Sequence, residues 1–164
     1  MKLGIALTIG GNPLAQSKFH EAFNRGLEQD SSFRTNSKGL KMLKKIYSYI
    51  EKSFSKIRMI YEQKNEVLLK MMHMDDGLEK TKYENSLDDY DKRAASSVKT
   101  AKRVFRFLQL LCEGHNQTMQ NFLRQQFEES DPLYSLNIDF IKYTAQIFGA
   151  FVKYMNPALM GLAE

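Results

Sequence analysis

Apolar residues recur along this chain at helical rather than strand spacing. From Leu40 onward, Leu43, Tyr47, Ile50, Phe54, Ile57 and Tyr61 follow at alternating steps of four and three, and Leu68 and Met71 resume the seam beyond Lys64. That rhythm predicts one long amphipathic helix over residues 38–74. Upstream, Leu3 to Ile9 is apolar and halts at Gly10-Gly11, the residue type that closes helices. Asn12-Pro13 then predicts a fresh helix with asparagine as cap and proline in the first turn. Leu14, Phe19, Phe23 and Leu27 carry that helix to about Gln29.

Downstream, residues 75–97 have few large apolar side chains and read as a charged, solvated linker. Val104, Leu108, Leu111 and Cys112, widened by Phe105 and Phe107, predict a helix from about Val98 to Glu113 that is buried on most sides. Gly114-His115-Asn116 predicts a tight corner with Asn116 capping the next helix, whose face is Met119, Phe122, Leu123 and Phe127. After Asp131-Pro132 a last helix is expected on the seam Ile138, Ile141, Ala145, Phe148, Val152 and Met155, ended by Asn156-Pro157.

The two corners echo each other. Leu7 to Asn12 and Leu111 to Asn116 share Leu-x-x-Gly-x-Asn, each with a glutamine four residues on. Asn12, Asn116, Gln16 and Gln120 therefore read as the structural caps of two like hairpins. Repeated hairpins with unmatched apolar faces predict an all-α, armadillo-like solenoid fragment with one long helix. The expected division is 1–74, a hairpin plus the long helix; 75–97, the linker; and 98–164, a second hairpin and a following helix. Both termini fall inside apolar pattern, the expectation for a piece of something longer.

Composition supports helix over sheet: Leu and Met together number 27, Val and Ile 13, and Trp is absent. Cys112 is the single cysteine, so neither an internal disulfide nor a cysteine-cluster metal site is possible within the chain, and a cytosolic setting is expected. The apolar runs are far shorter than the roughly 20 residues a membrane helix needs. Net charge is +5, but the basic excess is local: residues 38–74 hold nine Lys or Arg against three Glu, and 75–91 hold seven acids against two Lys. Tyr47, Phe54 and Tyr61 lie on the seam rather than among the lysines, which predicts a core with a wet basic face and no nucleic-acid partner.

Candidate chemistry is sparse. His20, His73 and His115 are scattered, and no nucleophile elbow or phosphate-binding glycine loop is present, so no enzymatic activity is expected. His73 between Met72 and Met74 reads as a helix-end histidine among core methionines. Asp75-Asp76 and Asp88-Asp89-Tyr90-Asp91 lack the twelve-residue calcium-loop rhythm and read as solvated charge. Arg93-Ala94-Ala95-Ser96 makes Ser96 a candidate phosphorylation site in a stretch expected to be accessible. Glu113 stands where a helix end leaves carbonyls unpaired, a place suited to a hard cation, although one carboxylate and a few carbonyls fall short of the six to eight oxygens calcium takes.

Phe105 to Asn116, continuing through Met119-Gln120-Asn121-Phe122-Leu123-Arg124, closely resembles a stretch of the intracellular calcium-release channels, the inositol trisphosphate and ryanodine receptors. Leu3 to Leu7 with Gly10-Gly11-Asn12 and Gln16 resembles the segment that precedes it in the receptor homology associated domain of their cytosolic region. Gly114 follows the ryanodine receptor pattern, and Gln120 to Arg124 leans toward the inositol trisphosphate receptors. The resemblance implies a non-enzymatic cytosolic coupling domain of a ligand-gated homotetrameric channel, on the cytoplasmic face of the endoplasmic reticulum or another calcium store. It implies Glu113 as a direct ligand of the activating calcium site and His115 as a residue close by that supports it. The family's other ligands lie on a later Thr-Glu-Tyr helix and near the pore, and Tyr143-Thr144 and Tyr154 do not reproduce that motif. Calcium is thus expected only in a complete channel, with no cofactor for the isolated chain. The competing expectations are a free-standing α-solenoid adaptor and a basic module for RNA or acidic lipid.

Overall fold

Both asparagine caps read from the sequence are formed in the computed structural model, which describes residues 1–27, 31–75 and 77–152. Helix α1 (Lys2–Thr8) closes at Gly10 and Gly11, whose φ of +72° and +67° are left-handed values that a β-carbon disfavours. The Asn12 side chain accepts from the Leu14 and Ala15 N–H groups and starts α2 (Pro13–Asn24). That helix stops short of the predicted Gln29, because Gly26 turns left-handed at φ +82°. Gln29 lies outside the described residues. A short α3 (Ser31–Arg34) leads to Ser37, whose hydroxyl caps α4 (Lys38–Met71) through the Leu40 N–H.

The predicted linker is helix. Apart from Asp76, which is outside the described residues, the chain runs through Gly77 into α5 (Leu78–Cys112), unbroken across the acidic segment. The missed signal is a seam of small and aromatic residues: Tyr83, Leu87, Tyr90, Ala94, Ser97, Ala101, Val104, Leu108 and Leu111 alternate at four and three, half-buried first and buried from Ala94 onward. Glu84, Asp88 and Asp89 point away from that seam into solvent. At 35 residues α5 is one longer than α4, the helix expected to be longest.

Helices α4 and α5 form an antiparallel pair. Lys64 meets Asp91 at 2.8 Å, Arg93 donates to Gln63 at 3.1 Å, and Phe54 meets Phe105 edge-on with ring centroids 5.7 Å apart. Small residues at the seam, Ser53, Ala94, Ser97 and Ala101, let the two backbones approach, and all four are buried. α2 crosses the start of α4 at Gly39, where a β-carbon would come within 1.7 Å of the Phe23 carbonyl oxygen. The core is one cluster that includes Phe23, Leu40, Leu43, Ile50, Leu111 and Phe127.

After α6 (Gln117–Arg124) the chain is held without regular structure to Tyr134–Leu136, a 3-10 turn, and then α7 (Phe140–Val152). Asn137 secures this stretch: its Oδ1 accepts from the Gln126 and Phe127 N–H groups and its Nδ2 donates to the Phe127 carbonyl. Arg34 pairs with Asp131 and lies over the Phe127 ring. The α7 seam differs from the predicted one. Phe140 is buried, Tyr143, Thr144, Ile147 and Phe151 are half-buried, and Ile141, Ala145 and Phe148 face solvent. The Tyr47 ring draws Tyr143 inward at 4.5 Å and Phe54 draws Phe151 at 5.1 Å, which rotates the apolar stripe off the heptad reading. Met155 and Asn156-Pro157 lie outside the described residues. No helix among the described residues is long and apolar enough to cross a membrane.

Candidate functional site

The two echoing corners meet. Helix α5 ends at Cys112, leaving carbonyls with no partner inside the helix. Gln16, reaching across from α2 and only 2% exposed, donates its Nε2 to the Leu110 and Glu113 carbonyls at 2.9 Å each. Its Oε1 accepts from Asn116 Nδ2 at 2.9 Å. Gln120 Nε2 reaches back to the Cys112 carbonyl at 3.2 Å, and Asn116 Oδ1 accepts from the Met119 N–H at 3.0 Å. All four predicted cap residues are therefore hydrogen-bonded caps, with Gln16 and Gln120 closing the end of α5 rather than starting helices of their own. The carbonyls that the sequence left free for a cation are those the two glutamines take.

Gly114 and His115 make the turn with φ of +70° and +58°, the histidine being the one described non-glycine residue in left-handed backbone. Beneath them Glu113 is half-buried, and its Oε2 is enclosed with no hydrogen-bond partner among the described residues. Gly11 makes this fit possible, since a β-carbon there would lie 3.3 Å from Glu113 Cβ and Cγ at an already left-handed position. His115 is exposed, and no hydrogen bond joins it to Glu113 among the described residues. A buried carboxylate oxygen without a donor is costly, and a cation would satisfy it. The fit to calcium is partial: one orphaned oxygen is offered, the neighbouring carbonyls are engaged, and no group of three His, Cys, Asp or Glu is assembled among the described residues.

The remaining candidates are apart from this corner. His20 stands edge-on to Phe122 with centroids 5.0 Å apart, and His73 is exposed beyond the end of α4. Ser96 is exposed, but in mid-helix and not in a linker: its carbonyl accepts from Thr100 Oγ1 at 3.0 Å, and Ala94 beside it is buried. Asp88 and Asp89 are exposed on α5, and Asp91 pairs with Lys64. Burial raises the Cys112 thiol above its ordinary value. Burial, helped by Tyr47 and Glu51, pushes the Tyr143 phenol up to about 12.

The sequence marked Gln16 as a cap by its spacing from Asn12, yet its target lies about a hundred residues away, and only the packing of one corner on the other reveals it. Gly11 was legible as a turn residue and not as the lid over Glu113.

No solved structure matches the chain. A family model, described as RyR and IP3R Homology associated, matches residues 95–164. The matched segment holds the whole Phe105 to Arg124 stretch and the Glu113 corner, whereas Leu3 to Gln16 lies outside it. Over residues 95–164 the chain is thus similar to a family whose description names the ryanodine and inositol trisphosphate receptors, in the stretch where the resemblance to the calcium-release channels was read.

Proposed function

We propose that this chain is a cytosolic coupling element of a ligand-gated intracellular calcium-release channel, arranged as armadillo-like hairpins, and that Glu113 supplies one ligand of the activating calcium site. The observation that carries the reading is the orphaned Glu113 Oε2 at a corner held by Gln16, Asn116 and Gln120. Such a corner holds the backbone from which the carboxylate projects, as suits a ligand completed by other parts of a larger assembly. The match of residues 95–164 to the RyR and IP3R Homology associated family supports the setting. The other ligands would come from outside this chain, as would the pore and the remaining subunits of a tetramer, and the element would face the cytosol at a calcium-store membrane.

The test is calcium activation of a full-length channel of this family carrying this corner. Glu113→Ala is expected to move activation to higher calcium, while Asp88→Ala, exposed on α5, leaves it in place. The isolated chain, with one ligand, is expected to take up no calcium in the micromolar range by calorimetry. Unchanged activation after Glu113→Ala in a normally assembled channel would remove Glu113 from the site.

A further inference from the structure

Between α4, α5 and α7 runs a groove of about 1110 Å³, open to solvent and walled by apolar side chains that include Phe54, Ile57, Phe105, Ile141 and Phe151. Its apolar surface continues onto the outer face of α7, where Ile141 and Phe148 are 51% and 68% exposed. Among the described residues four charged side chains line it, Lys99, Lys102, Arg103 and Arg106, and all are basic. They stand on α5 at i, i+3, i+4 and i+7, so they form one stripe about 10 Å long beside the trough. None of the four has an acidic partner among the described residues; Arg106 bonds only to the neutral Gln109, at 3.0 Å. The acids of α5 are in its first half, at and before Asp91.

We infer that this groove is a docking site for an amphipathic α-helix whose apolar face is edged by acidic residues. A concave trough between helices accepts the convex apolar stripe of another helix, in the manner of helix-in-groove recognition. A bilayer would meet Ile141 and Phe148 on the outer face of α7 but not the apolar floor of the trough, and a single acyl chain in so open a trough would keep one flank in water. The unpaired basic stripe sets the second requirement. A helix laid along α5 meets it with carboxylates at the same three-and-four spacing, and long-range attraction between the two stripes orients the approach. The groove makes no use of Glu113 or calcium, so the inference stands apart from the channel reading.

The chain contains no tryptophan, so a tryptophan placed on a probe peptide reports its own burial. Two synthetic 18-residue helices share a Leu, Phe and Trp face; one is edged with Glu and the other with Lys. The Glu-edged peptide is expected to show a saturable blue shift on titration with the chain, and 0.5 M salt is expected to weaken it severalfold. Lys99→Glu/Lys102→Glu, on two exposed positions, is expected to weaken the Glu-edged peptide at least tenfold and to strengthen the Lys-edged one. Circular dichroism checks the fold of the variant, and the salt titration of the unaltered chain decides the matter if the variant is misfolded. Equal binding of both peptides, binding of neither, or a Glu-edged complex indifferent to salt and to charge reversal overturns the inference. Sedimentation with phosphatidylserine vesicles in the absence of peptide binding also overturns it and hands the groove to a membrane surface.

Discussion

Replacing Gln16 by methionine keeps the side chain's length and removes all three of its hydrogen bonds. The bond to the Leu110 carbonyl is buried, and those with the Glu113 carbonyl and Asn116 Nδ2 are partly so. A buried acceptor left without its donor costs about 1–3 kcal/mol, and a partly solvated one roughly 1 kcal/mol. The sum is about 3–5 kcal/mol, a large share of the roughly 5–15 kcal/mol that holds a domain of this size. Urea unfolding followed by circular dichroism should show the midpoint falling with the slope unchanged, and the melting temperature dropping by about 10 °C. Gln120→Met, which removes one longer bond to the Cys112 carbonyl, should cost only about 1 kcal/mol. A loss below about 1 kcal/mol for Gln16→Met would mean that water replaces Gln16 at the corner, and would refute the argument that its amide organises the end of α5.

Gly39→Ala should destabilise by about 3 kcal/mol or more, because its β-carbon meets the Phe23 backbone carbonyl rather than a movable side chain; a midpoint within error of the parent would deny the close crossing of α2 and α4. The Asp131 carboxyl is held below its ordinary 3.8, first by the Arg34 guanidinium and then by the Leu133 N–H, so the folded state takes its proton at lower pH than the unfolded chain does. The stability lost in Asp131→Asn should therefore be full at neutral pH and shrink as pH falls below 3.8 through the folded value; a difference that persists unchanged into acid would sink this account. Binding to RNA should be weak, without sequence preference, and steeply reduced by salt in filter assays, since Tyr47 and Phe54 are engaged with Tyr143, Phe105 and Phe151; tight selective binding at physiological salt would contradict it.

The parts of the fold that were legible are those written in local chemistry. Asn12 and Asn116 announce helix starts because a short polar side chain can satisfy a free N–H only there, and Gly10-Gly11 and Gly114 mark corners because left-handed backbone suits glycine. The first half of α5 was illegible for a physical reason: its seam, Tyr83, Leu87 and Tyr90, is only half-buried and passes into the small Ala94 and Ser97, which carry little hydrophobic signal of their own and matter because α4 lies close against them. Likewise the face of α7 is chosen by Tyr47 and Phe54 on α4, so no reading of α7 alone could orient it. At the corner, the sequence pointed to Glu113 and His115 together, but left-handed backbone at His115 leaves the imidazole exposed and unbonded to the carboxylate.

The same geometry bears on how a coupling element would work. α5 holds no glycine or proline from Leu78 to Cys112, and at 35 residues it is about 52 Å of uninterrupted helix. Its last turn is bonded by Gln16 to α2, and α2 crosses α4 closely at Phe23 and Gly39, so the Glu113 backbone, α5, α2 and α4 are joined in one set of contacts. In the proposed role, the carbonyls beside the orphaned Glu113 oxygen are tied down by Gln16 and Gln120, so the backbone that carries this carboxylate is joined to the helix behind it. Under the proposed coupling role, a displacement at the corner would be carried along this close-packed pair toward the α4–α5 tip, since packed elements transmit strain. A flexible linker over residues 75–97 would have dissipated that displacement. Within the proposed role, the continuous helix found there favours a relay over a passive helix corner.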